Sequence, residues 1–234
     1  VSLYGQCSDM KALQEIANKH NLAVIEDAAQ SFGATQNALR SGGFGDFSCT
    51  SFFPSKPLGG YGDSGACFTN DDQKATKLRQ LLVHGQGERY KHKYVGINGR
   101  MDSLQAAILL EKLTIFDEEV SLRQQVALQY QNLLEGHVKL PTILSNNTSV
   151  FAQYTIEVEQ RESFCKAMQD KGIPTAVHYP VLMPFQEALA YLNYKEGDFP
   201  IAEKASKRVV SLPMHPYLKL EEQVQIADAI KASL

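Results

Sequence analysis

The chain has 234 residues, 44% of them hydrophobic and 21% charged, with a formal net charge of −3. This profile excludes a disordered tail and offers no overall attraction for a phosphate backbone. No apolar run approaches the roughly 20 residues that cross a bilayer, so a globular protein that binds neither nucleic acid nor membrane is expected. The four cysteines show no CxxC pair or zinc-ligand rhythm, which predicts reduced thiols and no metal, and nothing resembling a secretory leader opens the chain, so a cytoplasmic protein is expected.

In chain order, "DMKALQEIANKH" at 9–20 puts Met10, Leu13, Ile16 and Ala17 on one helical face behind Ser8 as N-cap, and "LAVIED" at 22–27 follows as a buried strand. "FSCTSFF" at 47–53 and "GACFTN" at 65–70 read as further strands. Between them Gly60, Gly62 and Gly65 spell GxGxxG. A dinucleotide fingerprint must open a helix, whereas a strand-like run follows here, so these glycines are read as turn chemistry. Asn70 and Gln73 stand at capping-box spacing before a helix, and Asp102 and Gln105 repeat the arrangement before "SLQAAILLEKLTIF". The helical pattern resumes to Gly136, a C-terminal stop. Strands alternating with helices predict a mostly parallel sheet. Beyond a polar turn at 145–149, "AQYTIEV" alternates as a strand with one wet face, and a last helix places Leu220, Val224, Ala227, Ile230 and Leu234 on one stripe. The expected organisation is a large α/β domain over 1–116 and a small α+β domain, with its bridging helix, over 117–234.

Two residues carry candidate chemistry. Asp27 closes an apolar strand, where ligands of open α/β sheets gather, although an N-cap for "AAQSFG" accounts for it equally well. Lys56 lies in "SFFPSKPLGGYGDSGA", and most lysines are merely solvated. The flanking Phe52, Phe53, Pro54 and Pro57 are expected to lower the local dielectric and favour the neutral, nucleophilic amine. Together a lysine and a carboxylate meet the needs of pyridoxal phosphate: an amine for the Schiff base and a partner that keeps the pyridine nitrogen protonated. The basic cluster "RYKHK" at 89–93 reads by itself as a solvated loop.

"VIEDAAQSFGA", "SFFPSKPLGGYGDSGA", "HGQGERY…VGINGRMDSLQAAIL", "TAVHYP" and "SLPMHPYL" run in this order over essentially the whole chain. They resemble successive blocks of the DegT/DnrJ/EryC1/StrS family of sugar aminotransferases. The resemblance implies a fold-type I transferase dependent on pyridoxal 5'-phosphate, with a partial, mostly parallel large-domain sheet and a small C-terminal domain. It implies transamination of a UDP-linked 3-keto sugar acid, with glutamate as amino donor, for O antigen or another surface polysaccharide. By the same resemblance Lys56 bonds covalently to the cofactor and shuttles the proton, Asp27 partners the ring nitrogen, Gln30 lies against the ring and Ser51 hydrogen-bonds the phosphate. Asn98 and Arg100 reach the active site of the neighbouring subunit in a homodimer, and His178 and Tyr179 line the sugar site. Arg89, Lys91, His92 and Lys93 then add to the positive charge on that connection.

Two departures accompany the match. Pro184 and Phe185 stand where members often carry histidine or another polar residue, and the family's chains begin well before "LYGQ". Part of the large domain, including a loop that grips the cofactor phosphate, is therefore expected to be missing, which would expose a sheet edge and an apolar face. The alternatives are a non-catalytic remnant that binds a partner, an aminotransferase of a 4-keto nucleotide sugar, and a dehydratase of the same family. In the dehydratases histidine typically replaces the lysine, so Lys56 opposes that assignment.

Overall fold

Asp9, rather than Ser8, caps the first helix, α1 (Met10–His20): its carboxylate accepts from Ala12 N at 3.1 Å, while the Ser8 hydroxyl donates to Val1 O. Met10 and Ala17 face inward, but Leu13 and Ile16 of the expected apolar face are exposed. The computed structural model describes residues 1–234, and its strands follow as β1 (Ile25–Asp27), the small hairpin β2 (Thr35–Gln36) with β3 (Leu39–Arg40), β4 (Phe47–Ser51) and β5 (Gly65–Phe68). β4 is central. It runs parallel to β1 with Cys49 opposite Asp27, and antiparallel to β5 with Cys49 opposite Cys67 and Ser51 opposite Gly65. The expected mostly parallel sheet therefore holds one pairing of each kind. The reason is the connection: no helix intervenes between β4 and β5, and a parallel return needs a crossover.

Asp71 caps α2 (Asp72–Leu82), accepting from Gln73 N at 2.8 Å and Lys74 N at 2.9 Å, in place of the expected Asn70. The basic cluster falls on an exposed hairpin, β6 (Gln86–Glu88) with β7 (Lys91–His92). The long helical pattern resolves into α3 (Ser103–Leu113) and α4 (Phe116–Leu134), after which Gly136 takes the left-handed φ of +78° that favours glycine. Residues 1–121 and 143–152 form one unit whose core gathers Cys7, Phe52, Leu58, Leu109, Phe116 and Val150. Phe32 stacks between Phe68 and Phe116 within it.

Residues 122–142 and 153–234 form the second unit. Its strand β8 (Tyr154–Glu157) buries Tyr154 and Ile156 alternately, as a strand with one wet face should. Then come α5 (Arg161–Asp170), α6 (Pro200–Arg208), β9 (Val209–Leu212), which pairs antiparallel with β8, and α7 (Leu220–Lys231). The buried stripe of α7 is Gln223, Ile226, Ala227 and Ile230, whereas Leu220, Val224 and Leu234 are exposed, so the inward face is rotated from the one expected. All four cysteines are free, and no helix is long and apolar enough to cross a membrane.

Candidate active site

Because β1 and β4 are parallel, their carboxyl ends share one edge of the sheet. Asp27 is the last residue of β1, Ser51 the last of β4, and Lys56 lies in the turn just beyond. Ala28 N donates to Cys49 O at 2.8 Å, and Thr50 Oγ1 to Ala28 O, so the chain leaves β1 held against its neighbour. Asp27 Oδ1 accepts from Ala29 N at 3.0 Å, and residues 29–33 form turns instead of the helix that an N-cap role requires. Asp27 stands opposite Cys49 of β4, and burial first, then the Asp27 carboxylate, pushes the Cys49 thiol above its ordinary pKa.

Ser51 Oγ accepts from Phe53 N at 3.2 Å, and Lys56 N donates to Phe53 O at 2.9 Å, which closes the turn on the half-buried Lys56. The apolar sleeve expected around this lysine is not built. Phe52 turns into the core, Phe53 and Pro54 are exposed, and only Pro57 of the other flanking residues is buried. Gln30 is 7% exposed, and its Oε1 accepts from Tyr4 N at 2.8 Å, which ties it to the first residues of the chain.

Asn98 and Arg100 lie on an exposed segment of the same unit. Its backbone is fixed to the end of α2, since Ile97 N donates to Leu81 O and Gly99 N to Leu82 O. Val95 and Ile97 on this segment, and Leu104 and Leu110 on the following helix α3, are exposed, Val95 at 99%. His178 and Tyr179 belong to the second unit. There His178 Nδ1 lies 2.8 Å from Ser211 Oγ, the two rings meet edge to face at 5.4 Å, and Ala176 exchanges both backbone hydrogen bonds with Ser211. Pro184 and Phe185 sit in a 3₁₀ turn, Met183–Phe185.

The structure thus places Asp27 and Ser51 at the carboxyl ends of neighbouring parallel strands, with Lys56 in the turn that follows Ser51, and sets Asn98 and Arg100 on a separate exposed segment. Sequence reasoning missed two supporting groups. Glu26, buried beside Asp27, accepts from Ser41 Oγ at 2.7 Å, Gly42 N at 2.9 Å and Phe44 N at 3.1 Å. A charged residue inside an apolar run was the signal for it. Gln105 makes no capping box, because Asp102 has no side-chain cap bond; its Oε1 accepts from Tyr61 N at 2.8 Å instead.

A family model described as the DegT/DnrJ/EryC1/StrS aminotransferase family matches residues 1–231. Over 219 residues the chain is 53% identical to the UDP-2-acetamido-2-deoxy-3-oxo-D-glucuronate aminotransferase of Pseudomonas aeruginosa, covering 93% of this chain and 60% of that one. Among solved structures, DesV of S. venezuelae in complex with a ketimine intermediate superposes with a TM-score of 0.94 at 36% identity, covering 98% of this chain and 62% of that one. NtdA of Bacillus subtilis with bound cofactor PMP superposes with a TM-score of 0.86 at 31% identity, covering 99% and 55%. The chain spans about 60% of the length of the Pseudomonas relative it matches.

Proposed function

The chain belongs to the DegT/DnrJ/EryC1/StrS aminotransferase family, and we propose on that premise that the whole protein is a pyridoxal-phosphate-dependent aminotransferase of a UDP-linked 3-keto sugar acid. Glutamate is the amino donor, the compartment is the cytoplasm, the active form is a homodimer, and the product serves a surface polysaccharide such as O antigen. The identity to the Pseudomonas 3-oxo-glucuronate enzyme supports the substrate class.

The observation that carries this assignment is the shared carboxyl edge of β1 and β4, with Asp27 and Ser51 at its strand ends and Lys56 in the turn just beyond Ser51. Its donor set fits the cofactor, pairing a carboxylate for a protonated ring nitrogen with a hydroxyl for a phosphate and an amine for an aldehyde. A run of glycines follows the lysine, and a Cβ on Gly59 would collide with Pro54 O at 2.4 Å, so this backbone can only lie close and bare. When bound, the cofactor supplies the electron sink that stabilises a carbanion at an amino-bearing carbon. Asp27 would hold the ring nitrogen through a charge-assisted hydrogen bond, Ser51 would donate to the phosphate, and Gln30 would flank the ring. Lys56, as a free amine, takes the α-proton of the donor and in the second half-reaction returns a proton to the sugar carbon that gains nitrogen. Asn98 and Arg100 would serve the partner subunit's phosphate and an anionic group of its substrate, and His178 and Tyr179 would contact the sugar.

The test is direct. Mixed with pyridoxal phosphate and reduced by borohydride, the chain should carry the label on Lys56, and in the whole protein Lys56→Ala should abolish transamination. Kinetics of the whole protein with both substrates should give parallel double-reciprocal lines. Intersecting lines, or turnover by Lys56→Ala, would overturn the assignment.

A further inference from the structure

One face of α3 holds the loop that carries Lys56. Gln105, Leu109 and Lys112 are spaced four and then three apart, so their side chains share one side of the helix. In the middle, Leu109 is buried in the same cluster as Phe52 and Leu58, the two loop side chains that enter the core. On one side Gln105 Oε1 accepts from Tyr61 N at 2.8 Å. On the other, Lys112 Nζ donates to Gly59 O at 2.5 Å and stands 5.9 Å from the centre of the Tyr61 ring. The glycines leave room for this grip. A Cβ on Gly60 would lie 2.9 Å from Gln105 Oε1, and one on Gly62 2.8 Å from Gln105 Nε2, both inside packing distance. A side chain at either position must displace the Gln105 amide from where it meets Tyr61 N.

We propose that Gln105 is a positioning residue for Lys56: it pins the loop at Tyr61 from α3, with Lys112 as the second anchor at Gly59. This rests on the assignment of Lys56 as the amine that meets the cofactor. Such a role demands a fixed backbone, because a 1 Å misplacement of a reacting group from a distant change can cost about 10²-fold in rate. Gln105 is only half-buried and on a helix, so alanine there preserves the fold.

The experiment compares the cofactor-free chain with Gln105→Ala, Gln105→Glu and Gly62→Ala, reading hydrogen exchange at the Tyr61 amide. Each protein is then mixed with pyridoxal phosphate and borohydride, and the rate of labelling at Lys56 is measured. Gln105→Ala should speed Tyr61 exchange about 5-fold, the worth of one neutral hydrogen bond, and slow Lys56 labelling by at least that factor. Gln105→Glu keeps an acceptor oxygen and should match wild type in both readouts. Gly62→Ala should reproduce Gln105→Ala, and the double variant should be no worse than either single one, since both remove the same contact. Unchanged Tyr61 exchange in Gln105→Ala overturns the clamp, whatever Lys56 does. Faster exchange with undiminished labelling overturns the positioning role. If wild type takes no label, the cofactor assignment fails and the role with it, and Tyr61 exchange then separates that failure from an absent clamp.

Discussion

Glu26 and Asp27 are adjacent carboxylates with opposite employment, because successive side chains of a strand point to opposite faces. Glu26 is 2% exposed and fully engaged by Ser41, Gly42 and Phe44, so its work is to hold the 41–44 turn. Glu26→Ala leaves three donors without their acceptor and should lower stability by about 3 kcal/mol, read from the urea midpoint, while Glu26→Gln, which keeps one acceptor oxygen, should cost roughly half of that. Cys7 makes a pH prediction. Burial first, and then the Glu26 carboxylate, raises its thiol from 9.0 to about 11. The folded state therefore binds this proton more tightly than the unfolded chain does. The stabilisation it brings is complete below about pH 9 and is lost as the pH climbs through 11. Alkylation of the native protein at pH 8.5, followed by peptide mass, should modify the exposed Cys67 first and leave Cys7 unmodified.

At the scale of elements, α3 and α7 teach the same lesson about polar residues at helical spacing. Gln105 occupies the capping-box position, yet Asp102 offers no cap bond, and the amide goes to a loop distant in sequence. Gln223 falls outside the apolar stripe expected for α7 and yet is completely buried, its Nε2 donating to Val126 O at 2.8 Å while its Oε1 has no partner. α7 thus docks on α4 through an amide that is only half satisfied. Gln223→Leu removes the buried unpaired oxygen and keeps the volume, so it should change stability by less than about 1.5 kcal/mol. Gln223→Ala opens a cavity as well and should cost at least about 2 kcal/mol by chemical denaturation, giving a clear order between two substitutions at one site.

For the whole molecule the exposed segment around Asn98 bears on assembly. The backbone on either side of Asn98 is tied to α2, while Asn98 and Arg100 are exposed, as are Val95 and Ile97 on the same segment and Leu104 and Leu110 on the helix α3 that follows it. Exposed apolar patches around polar groups mark interaction surfaces. Under the proposed homodimer each copy lends Arg100 to the site that holds its neighbour's Lys56. Two inactive whole proteins, Lys56→Ala and Arg100→Ala, mixed with subunit exchange, should then recover roughly a quarter of wild-type activity, because half of the pairs are mixed and each mixed pair has one intact site. No recovery after verified exchange would place both residues in one subunit's site.

What the sequence by itself determined was local. The presence of strands within "LAVIED", "FSCTSFF" and "GACFTN", the unpaired cysteines, the turn role of Gly60 and Gly62, and the alternation in "AQYTIEV" all follow from patterns a few residues long, where dihedral preference and side-chain period act without a distant partner. Only the tertiary structure decided the rest. Whether β5 returns antiparallel depends on what connects it to β4, which face of α7 turns inward depends on its packing within the second unit, where Gln223 meets Val126, and the destination of Gln105 depends on a loop more than forty positions earlier in the chain. The apolar sleeve expected around Lys56 failed for the same reason. Phe52 is apolar in any context, but the core formed by Leu58, Leu109 and Phe116 drew it inward, because burying an aromatic ring against a packed cluster outweighs shielding a neighbouring amine.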